Sequence, residues 1–212
     1  MPNVRMNEEL LQIAKDTKGF MPDDEGMALY NYALDMLSMS RNPMIEIGSY
    51  CGKSSVYLGA AAKEQSSVLF SIDHHRGSEE NQLGWEHHDP ELYDPTTEKL
   101  ETLPLFRKTI TLAKLDESVI AVIGNSKTVS RYWNIPISLL FIDGGHSIFE
   151  AMGDYRGWSQ FIQRDGLLLI HDVFEDESQG GRAPYEVFIA AISSKSFKQI
   201  DTVGSLKILK KL

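Results

Sequence analysis

Cysteine and long apolar runs are scarce in this chain. The only cysteine among its 212 residues is Cys51, which excludes an internal disulfide and fits a reducing compartment. No run approaches the roughly 18 apolar residues of a membrane-spanning helix. Residues 1–16, MPNVRMNEELLQIAKD, are charged and lack the apolar core of a signal peptide. We therefore expect a cytoplasmic protein.

Positive charge is also in short supply. The 21 Lys and Arg residues face 30 Asp and Glu residues, which gives a formal net charge of −9. Such a surface repels phosphate backbones and anionic lipids. We therefore expect neither nucleic acid nor a membrane as a partner. No repeat, low-complexity tract or linker divides the chain, so residues 1–212 are expected to form one domain.

Two helices are predicted within residues 1–40, and they are the candidate surface for a homodimer. The first runs from Asn7, a candidate N-cap, to Lys15. The second begins at the acids of 23–25, which favour a helix N-terminal dipole, and ends near Ser40. The expected apolar face of the second helix consists of Met27, Tyr30, Ala33, Leu34 and Leu37.

The stretch from Met44 to Ser55, MIEIGSYCGKSS, combines three local signals. An apolar run over 44–47 predicts a buried parallel strand, and a turn with two glycines follows. From Lys53 the pattern is helical. Glycines allow close backbone approach, and the free N–H groups of a helix N-terminus attract a negative group. This order of elements indicates a nucleotide-type ligand.

Several interpretations compete for this turn. A P-loop needs four residues between its first glycine and Gly-Lys-Ser, whereas Gly48 and Gly52 enclose three. Ser49 and Tyr50 interrupt the dinucleotide fingerprint G-x-G-x-x-G. The remaining pattern, Glu-x-Gly-x-x-x-Gly from Glu46, resembles the first motif of class I S-adenosylmethionine-dependent methyltransferases. An ordinary strand-to-helix turn with glycines for tightness is the alternative.

Asp73 follows the second predicted strand, 67–72. A carboxylate at this place in a doubly wound sheet accepts both hydroxyls of a ribose, although a turn aspartate is the alternative. Residues 74–95 are polar, carry four histidines and show no period. A connection of this length at the carboxyl end of a strand predicts a lid over a small-molecule pocket.

The rest of the chain alternates between strand and helix patterns. Strands are predicted over 119–123, 137–142 and 166–170, helices over 96–114 with a break at Pro104, 148–163 and 185–192, and an antiparallel hairpin over 197–202 and 205–209. This alternation is typical of α/β folds. We expect a Rossmann-like, doubly wound, mainly parallel seven-stranded sheet with a C-terminal antiparallel hairpin and two N-terminal helices.

Polar residues follow the later strands as well. Asn125 and Ser126 follow the third strand, where the corresponding loop of the methyltransferases that the Glu46 motif resembles often contacts an adenine edge; capping of the next helix is the alternative. The fourth strand ends in Asp143-Gly-Gly-His146, and the fifth in His171-Asp172. Adjacent parallel strands would bring these four residues to one rim, where they could hold a divalent metal or provide a general base. Turn or capping chemistry is the alternative for each one.

The motifs IDGGHS at 142–147, with Asp154 beyond it, and RDGLLLIHDVF at 164–174 carry a resemblance. They resemble small class I methyltransferases with a D-G-x-H-S loop and a fifth strand ending in H-D. These are relatives of the catechol O-methyltransferase, cephalosporin-hydroxylase-like and macrolide-sugar O-methyltransferase groups. The likeness covers about residues 44–174.

The resemblance implies S-adenosylmethionine as the cofactor and O-methylation of a small-molecule hydroxyl. It implies cofactor binding by Glu46, Gly48, Ser49, Tyr50, Gly52, Ser54, Asp73, His74, Asn125, Ser126 and Asp143. His146 and Asp143 are the candidate catalytic residues, because the position matching His146 can act as the base for a sugar hydroxyl in such relatives.

The metal-dependent relatives hold Mg²⁺ with acids that match Asp143 and Asp172. The position matching His171 is acidic in them, so Mn²⁺, Zn²⁺ or no metal fits this chain at least as well as Mg²⁺. Asp143, His171 and Asp172 are the candidate ligands. Two other functions stay open: a metal-dependent hydrolase that uses Asp143, His146, His171 and Asp172, and a non-catalytic S-adenosylmethionine-binding protein.

Overall fold

The computed structural model describes residues 5–77, 89–145, 147–176 and 178–212. The strands in these ranges are β1 Met44–Ile47, β2 Leu69–Asp73, β3 Tyr93–Asp94, β4 Lys99–Leu100, β5 Val119–Ile123, β6 Ile137–Ile142, β7 Ile162–Ile170, β8 Phe197–Val203 and β9 Leu206–Lys211. The helices are α1 Glu8–Asp16, α2 Asp23–Met39, α3 Lys53–Glu64, α4 Leu103–Leu112, α5 Ser126–Ser130, α6 Ile148–Trp158 and α7 Arg182–Ser193.

The main sheet has seven strands in the order β5-β2-β1-β6-β7-β9-β8. Neighbours from β5 to β7 pair in parallel, and β9 pairs antiparallel with both β7 and β8. The predicted α/β fold is thus confirmed, including its C-terminal hairpin and N-terminal helices. After β1 the chain adds β2 and β5 on one side and then β6 and β7 on the other, and doubly wound sheets form their ligand crevice where the strand order switches in this way.

Helices cover both faces of the parallel strands. In β6, Leu139 and Phe141 pack with α1, α2 and α3, whereas Leu140 and Ile142 pack with α6 and α7. A parallel strand between two helical layers needs apolar side chains on both faces. This burial explains why the strand patterns in the sequence show apolar runs with little polar alternation.

The N-terminal helices lie close to their predicted positions. The Asn7 side chain caps α1 and accepts hydrogen bonds from two backbone N–H groups of the first turn. In α2 the buried surface is wider than predicted, since Ala28, Leu29 and Met36 are buried and Met27 is half-buried. The reason is that α2 packs against α3 and also against the sheet at β6 and β8.

Two predicted boundaries are wrong. The helix expected over 148–163 ends at Trp158, and after one 3₁₀ turn β7 begins at Ile162 instead of Gly166. The early part of β7 pairs with β6 through a register shift, so this pairing, and not the local apolar pattern, makes it a strand. The helix expected over 96–114 begins at Leu103, and Pro104 lies in its first turn, where proline is tolerated.

Part of the predicted lid, 78–88, lies outside the described residues. Beyond it, β3 and β4 form a separate two-stranded sheet that was not predicted. Leu92, just before β3, and Leu100, on β4, pack against Cys51. The end of the insertion is therefore attached to the turn after β1. In the part of the chain that the structure covers, no helix combines the length and apolarity that crossing a membrane requires.

Candidate functional site

The carboxyl ends of β1, β2, β5, β6 and β7 surround one cavity of about 770 Å³. Its size lies within the range of small-molecule and cofactor sites. Most of the sequence-predicted site residues line it, namely Gly48, Ser49, Tyr50, Ser54, Asp73, His74, Asn125, Ser126, Asp143, His171 and Asp172. The strand ends therefore bring these residues together around one space.

The turn after β1 approaches the loop after β6 closely. Gly48 has a φ of 83°, and its amide donates a hydrogen bond to Ile72 on β2. The amide of Asp143 in turn donates to Ile47 on β1. The turn is thus joined on both sides to the strands that carry Asp73 and Asp143. Tyr50, with a φ of 48°, also adopts the left-handed backbone conformation that residues other than glycine rarely take.

Asp73 joins the end of β2 to this turn. One of its carboxylate oxygens accepts hydrogen bonds of 2.9 Å from the amides of both Ser49 and Tyr50, and the other accepts a 2.7 Å bond from the amide of His75. The oxygen that accepts from the His75 amide has further lone-pair capacity, so Asp73 can also accept a ligand hydroxyl. His74 lies beside it, half-exposed at the cavity wall.

Glu46 and Gly52 do not line the cavity, which corrects their expected direct contact with a ligand. Glu46 is 0% exposed, and its carboxylate accepts hydrogen bonds from the hydroxyls of Ser54, Ser55 and Ser71. Burial raises its pKa to about 7 in spite of these bonds. The acid lies beneath the turn because it faces the helical layer that α3 forms. Gly52, with a φ of 94°, is the N-cap of α3.

The geometry of the loop after β5 is compatible with both of its expected roles, contact with an adenine edge and capping of the next helix. Asn125 caps α5 by accepting a hydrogen bond from the amide of Thr128, and it also lines the cavity. The hydroxyl of Ser126 accepts a 2.8 Å bond from the indole N–H of Trp158. Near Ser126 lies Asp154, which is 5% exposed and lines the same cavity. Burial raises the pKa of Asp154 to about 6.

Asp143, His171 and Asp172 meet at the rim of the cavity. Nδ1 of His171 lies 2.9 Å from Oδ1 of Asp143 and 3.5 Å from Oδ1 of Asp172. Asp172 adopts a left-handed φ of 55°, which aspartate tolerates better than most residues. Their three ligand atoms all lie within 4.8 Å of one another, so within the described residues this group could hold a metal ion.

The other ring nitrogen of His171 faces Glu25, a residue of α2. Nε2 of His171 lies 2.7 Å from Oε2 of Glu25, an ion-pair distance, although the N–H does not point along that line. Burial lowers the pKa of His171, but the negative charge and hydrogen bond of Asp143, together with Glu25, outweigh it and raise the pKa to about 11. The rim therefore stabilises a positive charge between carboxylates.

Some cavity residues were not expected from the sequence. The segment 18–21 between α1 and α2 lines the opening, and Phe20 in it is 68% exposed, with its ring 5.9 Å from that of Tyr50. An exposed aromatic residue between two helices is a weak local signal. Glu25 gave only the signal of an acid in a first helical turn. The segment 178–181, after β7, also lines the cavity.

His146, the candidate base, lies outside the described residues, and its role stays a prediction. Its neighbours in the loop, Gly145 and Ser147, are described. Gly145 lines the cavity, and Ser147 caps α6 through a hydrogen bond from the amide of Glu150.

A protein-family model described as a methyltransferase domain matches residues 45–173. The chain belongs to this family. The matched range runs from β1 through the loop after β7, so it includes every strand end that lines the cavity. The resemblance to class I methyltransferases is thereby confirmed, and the cavity is that of a methyltransferase domain.

Solved structures share this methyltransferase fold. The methyltransferase PaMTH1 of Podospora anserina, bound to S-adenosylhomocysteine (SAH), is 12% identical over 97% of this chain and 88% of its own, with a TM-score of 0.65. The O-methyltransferase TomG of Streptomyces achromogenes, in complex with S-adenosylmethionine (SAM), is 14% identical over 99% of this chain and 91% of its own, with a TM-score of 0.65. An O-methyltransferase of Bacillus cereus, in complex with SAH, is 14% identical over 97% and 90%, with a TM-score of 0.64. Identities this low establish the shared fold alone.

Proposed function

We propose that this methyltransferase domain transfers a methyl group from S-adenosylmethionine to a hydroxyl oxygen of a small molecule. The observation that carries the proposal is the single cavity that combines the Gly48 turn, Asp73 and the Asp143 rim. The bound ligands of the structural neighbours support the cofactor, since PaMTH1 holds SAH and TomG holds SAM. TomG and the Bacillus cereus protein are both O-methyltransferases, which supports oxygen as the methyl acceptor.

The cofactor would extend along the strand ends. Gly48 and Ser49 would admit its methionine end, because no side chain at Gly48 obstructs the turn. Asp73 would accept the ribose hydroxyls, and Asn125 with Ser126 would contact the adenine. Asp154 adds a buried carboxyl beside Ser126, which is suited to accept the exocyclic amino group of an adenine.

The chemistry asks little of the protein beyond alignment and proton removal. A methyl sulfonium is already electrophilic, so the enzyme must place the acceptor oxygen in line with it and take up the hydroxyl proton. We assign the base to His146, three residues after Asp143 in the loop at the cavity rim. Asp143 lies on the acceptor side of the same loop and would orient the hydroxyl.

Asp143, His171 and Asp172 fit a divalent ion by the chemistry of their donors. Two carboxylates and one imidazole favour Mn²⁺ or Zn²⁺ over Mg²⁺, which prefers oxygen ligands. When bound, such an ion would lower the pKa of the acceptor hydroxyl. The two aspartates and Nδ1 of His171 would hold it at the mouth of the cofactor cavity.

The acceptor would enter beside the rim. A second cavity of about 760 Å³ adjoins the first and shares Phe20, Asp172 and Phe174 with it. We take it as the entrance for a small molecule, and the net charge of −9 argues against nucleic acid as the substrate.

The proposed homodimer would involve α1, because most of α2 is buried within the chain.

The test is isothermal titration with SAH. We expect micromolar affinity for the wild type and a loss of about tenfold or more for Asp73→Ala, because a charged acceptor for the ribose is removed. The exposed Asp116, which accepts from Thr111 outside the cavity, provides the matched control Asp116→Ala, with unchanged affinity expected. Absence of SAH binding to the wild type would overturn the proposal and favour a metal-dependent hydrolase.

Turnover separates an enzyme from a non-catalytic cofactor-binding protein. A panel of phenols and sugars would be incubated with S-adenosylmethionine, with and without Mn²⁺, and SAH release measured. We expect turnover with at least one hydroxyl acceptor, and its abolition in His146→Ala with SAH affinity retained. SAH binding without turnover on the whole panel would instead support the binding protein.

A further inference from the structure

Glu25 is an acid buried in a layer of apolar helices. It belongs to the first turn of α2, and its side chain is 4% exposed. A buried carboxylate is costly unless it is paired and hydrogen-bonded. Glu25 meets both conditions, because Ser205 donates hydrogen bonds to its carboxylate and His171 lies at ion-pair distance from it.

One set of contacts fixes Glu25 to the hairpin turn between β8 and β9. Its Oε1 accepts a 2.7 Å hydrogen bond from the amide of Ser205, and its Oε2 accepts a 3.1 Å bond from the Ser205 hydroxyl. Gly204 has a φ of 53°, and a Cβ there would lie 2.1 Å from Oε1 of Glu25. The hairpin turn is therefore shaped around this carboxylate.

The same turn also holds the chain that leaves β7. The amide of Val173 donates a 3.1 Å hydrogen bond to the carbonyl of Ser205. Val173 directly follows the His171-Asp172 pair. Glu25, the hairpin turn and the end of β7 thus form one junction behind the rim.

The second contact of Glu25 is with His171. Oε2 of Glu25 and Oδ1 of Asp143 lie on opposite sides of the ring, near Nε2 and Nδ1 respectively. Metal-bound histidines commonly present their other nitrogen to a carboxylate, which fixes the tautomer and the ring orientation. Here the nitrogen that faces away from Glu25 is the one that faces both aspartates.

We propose that Glu25 is a positioning residue that holds His171 by Nε2, so that Nδ1, after releasing its proton to solvent, can bind a divalent ion together with Asp143 and Asp172. The inference rests on the proposed function, since it concerns the ion assigned to that rim. Glu25 lies outside the cofactor cavity and acts on the ion through His171 alone.

A purely structural role for Glu25 makes a different prediction. If Glu25 only anchored the hairpin turn, removing its bond to the Ser205 hydroxyl would have effects of the same kind as removing its carboxylate. Ser205→Ala takes away that bond but leaves the amide bond and the His171 pair. It is therefore the matched control.

The experiment measures Mn²⁺ binding to the full chain by electron paramagnetic resonance, without cofactor or acceptor, for the wild type, Glu25→Gln, Glu25→Ala and Ser205→Ala. We expect Glu25→Ala to weaken Mn²⁺ binding about 10–100-fold. Glu25→Gln keeps one acceptor oxygen and is expected to retain part of the affinity. Ser205→Ala is expected to bind Mn²⁺ as the wild type does.

SAH affinity, measured on the same samples, reports whether the fold and the cofactor cavity are intact. It is expected to change less than about twofold in Glu25→Gln, because Glu25 lies outside the cofactor cavity. Unchanged Mn²⁺ affinity in both Glu25 variants would overturn the inference. So would a wild type that binds SAH but no Mn²⁺, and that result would leave methyl transfer itself standing. A wild type that binds no SAH would instead overturn the proposed function.

Discussion

The backbone of Gly48, in the turn after β1, packs directly against the backbone of Asp143, in the loop after β6. A Cβ atom on Gly48 would lie 2.2 Å from the carbonyl oxygen of Asp143, closer than any real contact, and the φ of Gly48 is 83°. The turn after β1 and the loop that carries Asp143 are therefore in direct contact through their backbones. Any side chain at position 48 would have to move one of them.

Gly48→Ala is accordingly expected to damage stability and cofactor binding together. We expect a loss of about 3 kcal/mol in the free energy of unfolding, from backbone strain and steric conflict, and little residual SAH binding. Urea unfolding and isothermal titration measure the two effects. Gly124→Ala is the control, since Gly124 also lines the cavity but a Cβ there would meet only Val129, at 3.7 Å. Equal behaviour of the two variants would contradict the steric argument.

Glu46 predicts a specific dependence of stability on pH. Its pKa is raised from 4.5 to about 7 in the folded protein, because the ionised form is buried. Below pH 4.5 the acid is protonated in both states and costs nothing. As the pH rises towards 7, the unfolded state loses its proton first, so the free energy of unfolding falls, by on the order of 3 kcal/mol in full.

Glu46→Gln should remove this component of the pH dependence. Urea unfolding at pH 5 and pH 8 is expected to show a smaller difference in the variant than in the wild type. Glu64→Gln is a control, because the exposed Glu64 accepts a hydrogen bond from Tyr30 and should leave the wild-type difference in place. An unchanged difference in Glu46→Gln would show that burial does not raise this pKa.

The parts of the site that were predictable depend on short stretches of sequence. The Gly48 turn, Asp73 and the His171-Asp172 pair each follow an apolar run directly, and parallel strands carry their ends to one edge. A local pattern and one topological rule are sufficient for such residues.

Glu25 was beyond that kind of reasoning. Its partner Ser205 is 180 positions away in the chain, and its other partner, His171, belongs to a different strand end. Nothing in the local sequence distinguishes it from Asp23 and Asp24, which are exposed. The start of β7 at Ile162 was missed for a similar reason, because its pairing with β6 passes through an irregularity that only the sheet defines.

His171 predicts a large effect on stability from a single polar change. His171→Gln would leave Glu25 and Asp143 without their shared cation in a buried place, and breaking such a pair costs about 3–5 kcal/mol. The free energy of unfolding at pH 7, from urea titration, measures it. His74→Gln changes a half-exposed histidine of the same cavity and is expected to stay within about 0.5 kcal/mol. A small loss for His171→Gln would mean that the two acids tolerate each other without the imidazole.

Lys18 is expected to affect ligand binding more than stability. Its ammonium lies within 2.7 Å of Glu91 and also pairs with Asp89, so it joins the 18–21 segment to the end of the 74–95 insertion. The pair is partly exposed and should contribute less than about 1 kcal/mol to the free energy of unfolding. Lys18→Met would leave the segment to be ordered by the ligand, which is expected to weaken SAH binding roughly two- to tenfold.

Salt provides an independent check on this account. Because ions screen partly exposed charge pairs, the SAH affinity of the wild type should fall between 0.05 and 1 M NaCl towards that of Lys18→Met, whose own affinity should change less. Lys15→Met is the control, since Lys15 pairs with Asp23 on the outer surface and does not line the cavity. If Lys15→Met weakened SAH binding as much as Lys18→Met, general charge and not the attachment of the 18–21 segment would be the cause.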